Sequence, residues 1–459
     1  MQSITRILFA VLAMVVISCS DKSQSDEKSS NDESTSPGIR IIPGQYVVTM
    51  KETPMVLIDA KDKQGVSGDS LRAEKLNKVE KYIKDKNIKV KPSSLIVGLA
   101  VGFVAFMDSA QAAALRRDTQ NIESIENDFE IKNVDPASQG QPIQQGQPIQ
   151  QGQPIQQNLY PNTIGSGSLD LQSYAVYDAG GFMDGSSKTT RVWIVDTGIQ
   201  DAHPNLEIKK TDDLGNPLGW NFIVDNDKTN DDNGHGTGVA GIVGAKPFFF
   251  DDDASPANRL TVRVGVSSGA TLIPIKVLDS NGKGEWGDLR TALNWISTRS
   301  VAGDVVNLSI GAYCVINCRP GSPIRKIINL LASQGVYVVI AAGNDGGDAS
   351  KSFPGCFNGN PTSPFIRTVA SIDKEGKCTF YSNYGVPGNN DPIDYVAVGT
   401  DVFTTYIDNP YSHLPQYILM TGTSMSTAVI SGVIHATGGL VKVQLSDCGT
   451  PLYYKGRTR

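Results

Sequence analysis

VWIVDTG runs from Val192 to Gly198. Four β-branched or aromatic residues stand in a row and end in an Asp-Thr-Gly turn. Such a short apolar run suits a strand buried on both faces. Runs of the same kind recur at residues 272–277, 305–310, 336–342 and 368–370, with helical patterns at 288–297 and 325–334. Strands alternating with helices predict an α/β fold, a parallel sheet with helices on both faces. Asp196 then stands at the carboxyl edge of that sheet, where α/β sites gather. Taken alone, an aspartate there is as readily a helix cap or a turn former.

The chain has 459 residues, room for two or three domains. A net charge of −6 with no basic stripe excludes a nucleic-acid binder. Residues 1–18 carry an apolar run from Ile7 to Ile17, too short to span a bilayer and expected to be an export signal. Val16-Ile17-Ser18-Cys19 resembles a bacterial lipobox, which implies lipidation at Cys19. Ser20 in place of aspartate implies the outer membrane or cell surface, so the chain meets the membrane through its lipid anchor alone. Residues 19–39 are almost wholly polar and read as a tether.

Residues 41–133 predict a small α+β domain of ferredoxin-like class. Leu71, Leu76, Val79, Tyr82 and Ile83 recur at helical spacing, strands are expected at 45–50, 95–107 and 124–132, and a second helix at 110–117. Residues 134–162 contain GQPIQQ three times, from Gly140 to Gln157. A proline every sixth residue disfavours helix, and glutamine and glycine supply no core, so this is a linker. The α/β domain occupies 163–459.

Three further stretches carry chemistry. In NGHGTGVAGIVG, from Asn233, His235 lies between two glycines before a small-residue helix, in a chain with four histidines. In AAGNDGG, from Ala341, Asn344 either caps a turn or aims its amide at developing negative charge. In GTSMSTA, from Gly422, Ser424 stands at a helix N-terminus, where free N–H groups favour an oxyanion. A hydroxyl nucleophile needs a base, and the base needs a carboxylate to hold its tautomer. The chain order Asp, His, Ser is one of three that build this triad.

With these motifs the region from about 163 to 439 resembles the subtilisin-like serine proteases, or subtilases. VDTGI, NGHGTGVAGI, AAGN and GTSMST match the family's four site motifs in order. The resemblance implies a serine endopeptidase acting on protein or peptide substrates, with Asp196, His235 and Ser424 as triad and Asn344 as oxyanion donor. VLDSNGKGEWG and VVNLSIG are similar to the substrate-binding strands, which implies backbone contacts from Gly282, Lys283, Gly284, Ser309, Ile310 and Gly311. It also implies that residues 41–133 are a propeptide, an intramolecular inhibitor cut away within residues 132–167, with release of the enzyme from its anchor. No cofactor is required for the chemistry and no metal site is assigned, although the family leaves room for structural calcium. The acidic stretch 225–233 reads instead as a solvated loop. Among the five cysteines beyond Cys19, the family pattern favours a Cys356–Cys378 disulfide, with Cys314–Cys318 as a second and Cys448 left over.

The chain departs from the family at Gly238, where a second histidine is usual, at Ala428-Val429 in place of Pro-His, and in a short tail that threatens a closing strand or helix. Residues 246–263 form an insertion, KPFFFDDDASPANRLTVR, open to two readings: a surface loop for substrate or partner, or a buried aromatic plug. A peptide-binding scaffold without turnover and an esterase are the rival functions.

Overall fold

A computed structural model describes residues 40–51, 68–91, 95–97, 101–133, 159–161, 170–250, 260–313, 318, 322–357, 363–386, 391–408, 416–439, 441–446 and 453–457. The export signal, tether and GQPIQQ repeats expected from sequence lie outside these residues. The N-terminal unit runs β1 (Ile41–Met50), α1 (Gly68–Asp85), β2 (Lys89–Val90), β3 (Val101–Phe106), α2 (Ser109–Arg116) and β4 (Ile122–Asn133). β1 is central, antiparallel to β3 on one side and β4 on the other. α2 begins at a reciprocal cap in which Asp108 and Gln111 each accept the other's backbone N–H, satisfying two donors the helix leaves open. Val48, Val79, Phe103 and Leu115 close a small core.

The larger unit begins before residue 163. Leu159–Pro161, read from sequence as linker, pairs with Asp170–Ser173, which lies parallel to Leu260–Arg263. Its main elements are β5 (Arg191–Asp196), α3 (His235–Gly244), β6 (Thr271–Lys276), β7 (Lys283–Glu285) and α4 (Trp286–Ser297). β8 (Val305–Leu308), β9 (Ile310–Tyr313), α5 (Pro323–Ser333), β10 (Tyr337–Ala341), β11 (Ile366–Ile372) and β12 (Ile393–Val398) follow. The sheet order is β6-β5-β8-β10-β11-β12, all parallel. Side chains alternate across β5: Val192 and Ile194 pack with α3 and α6 (Thr423–Thr437), Trp193 and Val195 with α4 and α5. Both faces are covered, which is why the run needs no polar alternation.

α3 is buried along its whole length. A Cβ on Gly236 would overlap the Gly198 carbonyl oxygen, so this glycine lets the helix close on the turn after Asp196. A Cβ on Gly238 would overlap the Met420 sulfur. Met420 ends β14 (Tyr417–Met420), which pairs antiparallel with β13 (Val402–Thr405), and the Thr404 hydroxyl donates to the Gly238 carbonyl. This hairpin fills the room a second histidine would take. In the insertion, Phe248–Phe250 pairs with Leu260–Arg263; Phe248 is buried with its ring 4.0 Å from that of Tyr417, as the plug reading expects, while Phe249 is exposed, as the surface-loop reading expects. The tail adds strands rather than losing one: Tyr453–Arg457 lies parallel to β12 and antiparallel to Val441–Ser446.

The expected Cys356–Cys378 disulfide is not formed. Cys318 bonds Cys356, with Cα atoms 5.8 Å apart, which also rules out Cys314–Cys318. The cause is strand pairing. Ala312 and Tyr313 of β9 face Phe353 and Ser352, a few residues from Cys356, while Cys378 bridges back to Ile372. Cys378 is disulfide-bonded elsewhere, and Cys314 and Cys448 lie outside the described residues. A non-reducing peptide map is expected to recover Cys318 linked to Cys356. Because the bond closes a separation of 38 residues, Cys318→Ser is expected to lower stability by about 4 kcal/mol in thermal unfolding.

Candidate functional site

Asp196 is the last residue of β5 and His235 the first of α3. Their side chains meet in the interior: His235 Nδ1 lies 2.8 Å from Asp196 Oδ1, which also accepts the Thr197 N–H at 2.7 Å. A carboxylate on Nδ1–H holds the imidazole in the tautomer whose lone pair is on Nε2. The helix start is held by Asp231. Its Oδ1 accepts the N–H groups of Asn233 and Gly234, and its Oδ2 accepts the N–H and hydroxyl of Thr237. Gly234, at the N-cap, has no side chain to do this. Lys276, level with Asp196 across the sheet, donates to the carbonyls of Thr197 and Leu278 and to Asp232.

Ser424 is the second residue of α6 and fully buried. Its hydroxyl lies 3.3 Å from the Ser309 carbonyl, and the Ser309 hydroxyl donates to the Ser424 carbonyl at 3.1 Å. A buried chain supports this contact: Ser431 donates to Asn307, and Asn307 donates to Ser309. Asn344 follows β10, and its Oδ1 accepts the Thr423 N–H at 2.9 Å. The Asn344 amide is thereby held at the first residue of α6, next to Ser424. Asn383 braces the Asn344 turn, accepting the N–H groups of Asp345 and Gly347 and donating to the Ala342 carbonyl. Asn307, Asn383, Asp231, Lys276 and Ser431 were missed by the sequence reading. The signal available for Asn307 and Lys276 was a polar residue inside an apolar strand.

The described residues hold no group of three or more His, Cys, Asp and Glu placed for a metal ion. The acidic loop does not fit calcium. Both oxygens of Asp231 accept N–H or O–H donors, and Asp232 pairs with Lys276. Asp231 is also buried, against the expectation of a solvated loop.

The six residues expected to bind substrate flank one strand of the N-terminal unit. The end of β4 runs antiparallel to β7, with Lys132 opposite Lys283, Ile131 opposite Gly284 and Glu130 opposite Glu285. On its other side it runs antiparallel to β9, with Asn133 opposite Ile310 and Lys132 opposite Gly311. The Asn133 N–H donates to the Gly282 carbonyl at 2.9 Å.

Residues 187–437, more than half of the chain, match the profile of the subtilase family. The chain belongs to that family. The subtilase region is 30% identical over 244 residues to thermitase of Thermoactinomyces vulgaris, covering 53% of this chain and 72% of that protein. It is 30% identical over 242 residues to subtilisin BL of Lederbergia lenta, covering 53% of this chain and 73% of that protein. A crystal structure of a cold adapted subtilisin-like serine proteinase aligns over 60% of this chain and 89% of its own, at 20% identity and a TM-score of 0.46. The chain is therefore a serine endopeptidase.

The N-terminal unit is fastened to this subtilase by acidic groups. Asp128 accepts the Gly287 N–H at the start of α4 and a bond from Gln45, which also donates to Glu285. Lys91 reaches Glu285 and Asp288. Arg290, fully buried, lies beside Glu126 and Asp128. Three carboxylates thus share Lys91 and Gln45. Burial pushes the Asp128 carboxyl up to about 6 and that of Asp288 up to about 7, with Lys91 opposing at Asp288 and Glu285 adding to both rises. Carboxyls raised in the docked state favour docking at low pH, and that contribution is lost as pH rises through 6 to 7. In the full chain carrying Ser424→Ala, hydrogen-exchange protection of β4 is expected to correspond to a docking equilibrium weaker at pH 8 than at pH 5 by on the order of 10²–10³-fold. Asp128→Asn, which keeps an acceptor for Gly287, should flatten the slope. Protection independent of pH in the parent would contradict the assignment.

Proposed function

We propose that the chain is the self-inhibited precursor of an exported serine endopeptidase. Ser424 attacks the scissile carbonyl, and His235 takes its proton and returns it to the leaving amine. Asp196 holds His235. The Asn344 amide and the Ser424 N–H stabilise the tetrahedral oxyanion. Gly282, Lys283, Gly284, Ser309, Ile310 and Gly311 bind substrate as an added β-strand. Residues 41–133 act as inhibitor, and the GQPIQQ linker gives the slack needed for release. Lipidation at Cys19 would hold the precursor at the outer membrane or cell surface until that cut.

The observation that carries this reading is the strand β4 between β7 and β9. Its register pairs Gly311 with Lys132 and Ile310 with Asn133. Counting on by one residue reaches Ser309, the residue in contact with Ser424. The first cut is therefore expected directly after Val134.

Intact mass of the chain begun at Ser20, beside its Ser424→Ala variant, tests the reading. The parent should lose a fragment ending at Val134, and the variant should stay whole. If both stay whole when folded, a peptide-binding scaffold explains the cleft better. In the processed enzyme, Asn344→Ala is expected to lower kcat by roughly 10²–10³ with little change in KM, a range whose source is itself a subtilisin.

A further inference from the structure

We propose that the enzyme reads an aromatic side chain of its substrate, two residues before the one that pairs with Gly284, on a floor made by Trp286 and Phe353. The inference rests on the peptidase reading above and names what that peptidase selects.

Phe129 occupies the place here. Successive side chains of a strand point to opposite faces, so Phe129 and Ile131 share one face of β4. Both are buried, whereas Lys132 is exposed and Glu130 pairs with Lys283. The Phe129 ring stacks on Trp286, with centroids 5.3 Å apart and planes at 21°. It meets Phe353 edge-on, at 5.8 Å and 83°. Trp286 and Phe353 themselves form an edge-to-face pair at 4.6 Å, and Phe357 backs Phe353 at 5.4 Å. These are preferred geometries for rings, whose edges are positive and faces negative.

Of these rings only Phe129 belongs to the N-terminal unit. Trp286 directly follows β7, and Phe353 lies opposite Ala312 of β9. Each therefore hangs from an element next to a strand that flanks the peptide. When β4 leaves, the floor stays and a flat apolar surface is uncovered. A substrate entering in the same register sets its own residue onto that surface. An aromatic ring refills it, while a small side chain leaves part of it wet.

The test uses the processed full-length product and two chromogenic hexapeptide amides. One is residues 129–134 of this chain, Phe-Glu-Ile-Lys-Asn-Val, and the other has Ala first. KM is expected to be about tenfold lower for the Phe peptide with kcat unchanged. Trp286→Ala should bring the two KM values together. Should that variant fail to fold, Phe353→Leu keeps apolar volume and should still shrink the ratio. Equal KM values in the parent would overturn the subsite while leaving the peptidase intact. A preference that survives both substitutions would overturn the assignment of the floor. Hydrolysis of neither peptide would overturn the proposed cut after Val134, and this inference with it.

Discussion

The parallel ladder of β5 with β6 and β8 is the constraint on which the other features rest. Val195 pairs with Ile275 on one side and Leu308 on the other. Parallel strands in register end together, so Asp196, Lys276 and Ser309 arrive at one edge of the sheet. Helices must cross back over the faces to join such strands, and their starts return to that same edge. His235 and Ser424 both stand at helix starts for this reason. The placing of Asp196, His235 and Ser424 at strand and helix ends follows from how the core is buried.

A second ladder uses the same backbone physics to join the N-terminal unit to the subtilase region. β4 pairs antiparallel with β7 along one edge and with β9 along the other. Main-chain bonds of this kind bind any extended peptide. Phe129 and Ile131 share the buried face of β4. The acidic fastening around Asp128 and Asp288 lies beyond this ladder, so it acts on attachment of the unit rather than on the chemistry.

The backbone around Asp196, His235, Asn344 and Ser424 is held by buried polar chains. Ser431, Asn307 and Ser309 link the body of α6 to its own first turn through the sheet. Asp231 ties the start of α3 to the preceding loop, and Asn383 does the same for the Asn344 turn. In a low-dielectric interior such groups are costly if unpaired and rigid when paired. Each therefore fixes a backbone position close to Ser424, His235 or Asn344.

Much was legible in the linear chain. Apolar runs that need no alternation announced a doubly covered parallel sheet, and the four motifs announced its edge residues. These are local signals, carried by consecutive side chains and by turn chemistry. What the sequence hid depends on distant segments meeting. The Cys318–Cys356 bond follows from the pairing of β9 with Ser352–Phe353, and cysteine spacing does not encode that register. Gly238 looked like a departure until Met420 was seen in its place. Asp231 looked like one more loop acid until both its oxygens were found capping α3. By itself the sequence determined the class of sheet and which side chains could do chemistry, because periodicity and turns are written in neighbours. Only the tertiary structure decided which of them meet, because burial and pairing are set by packing across the chain.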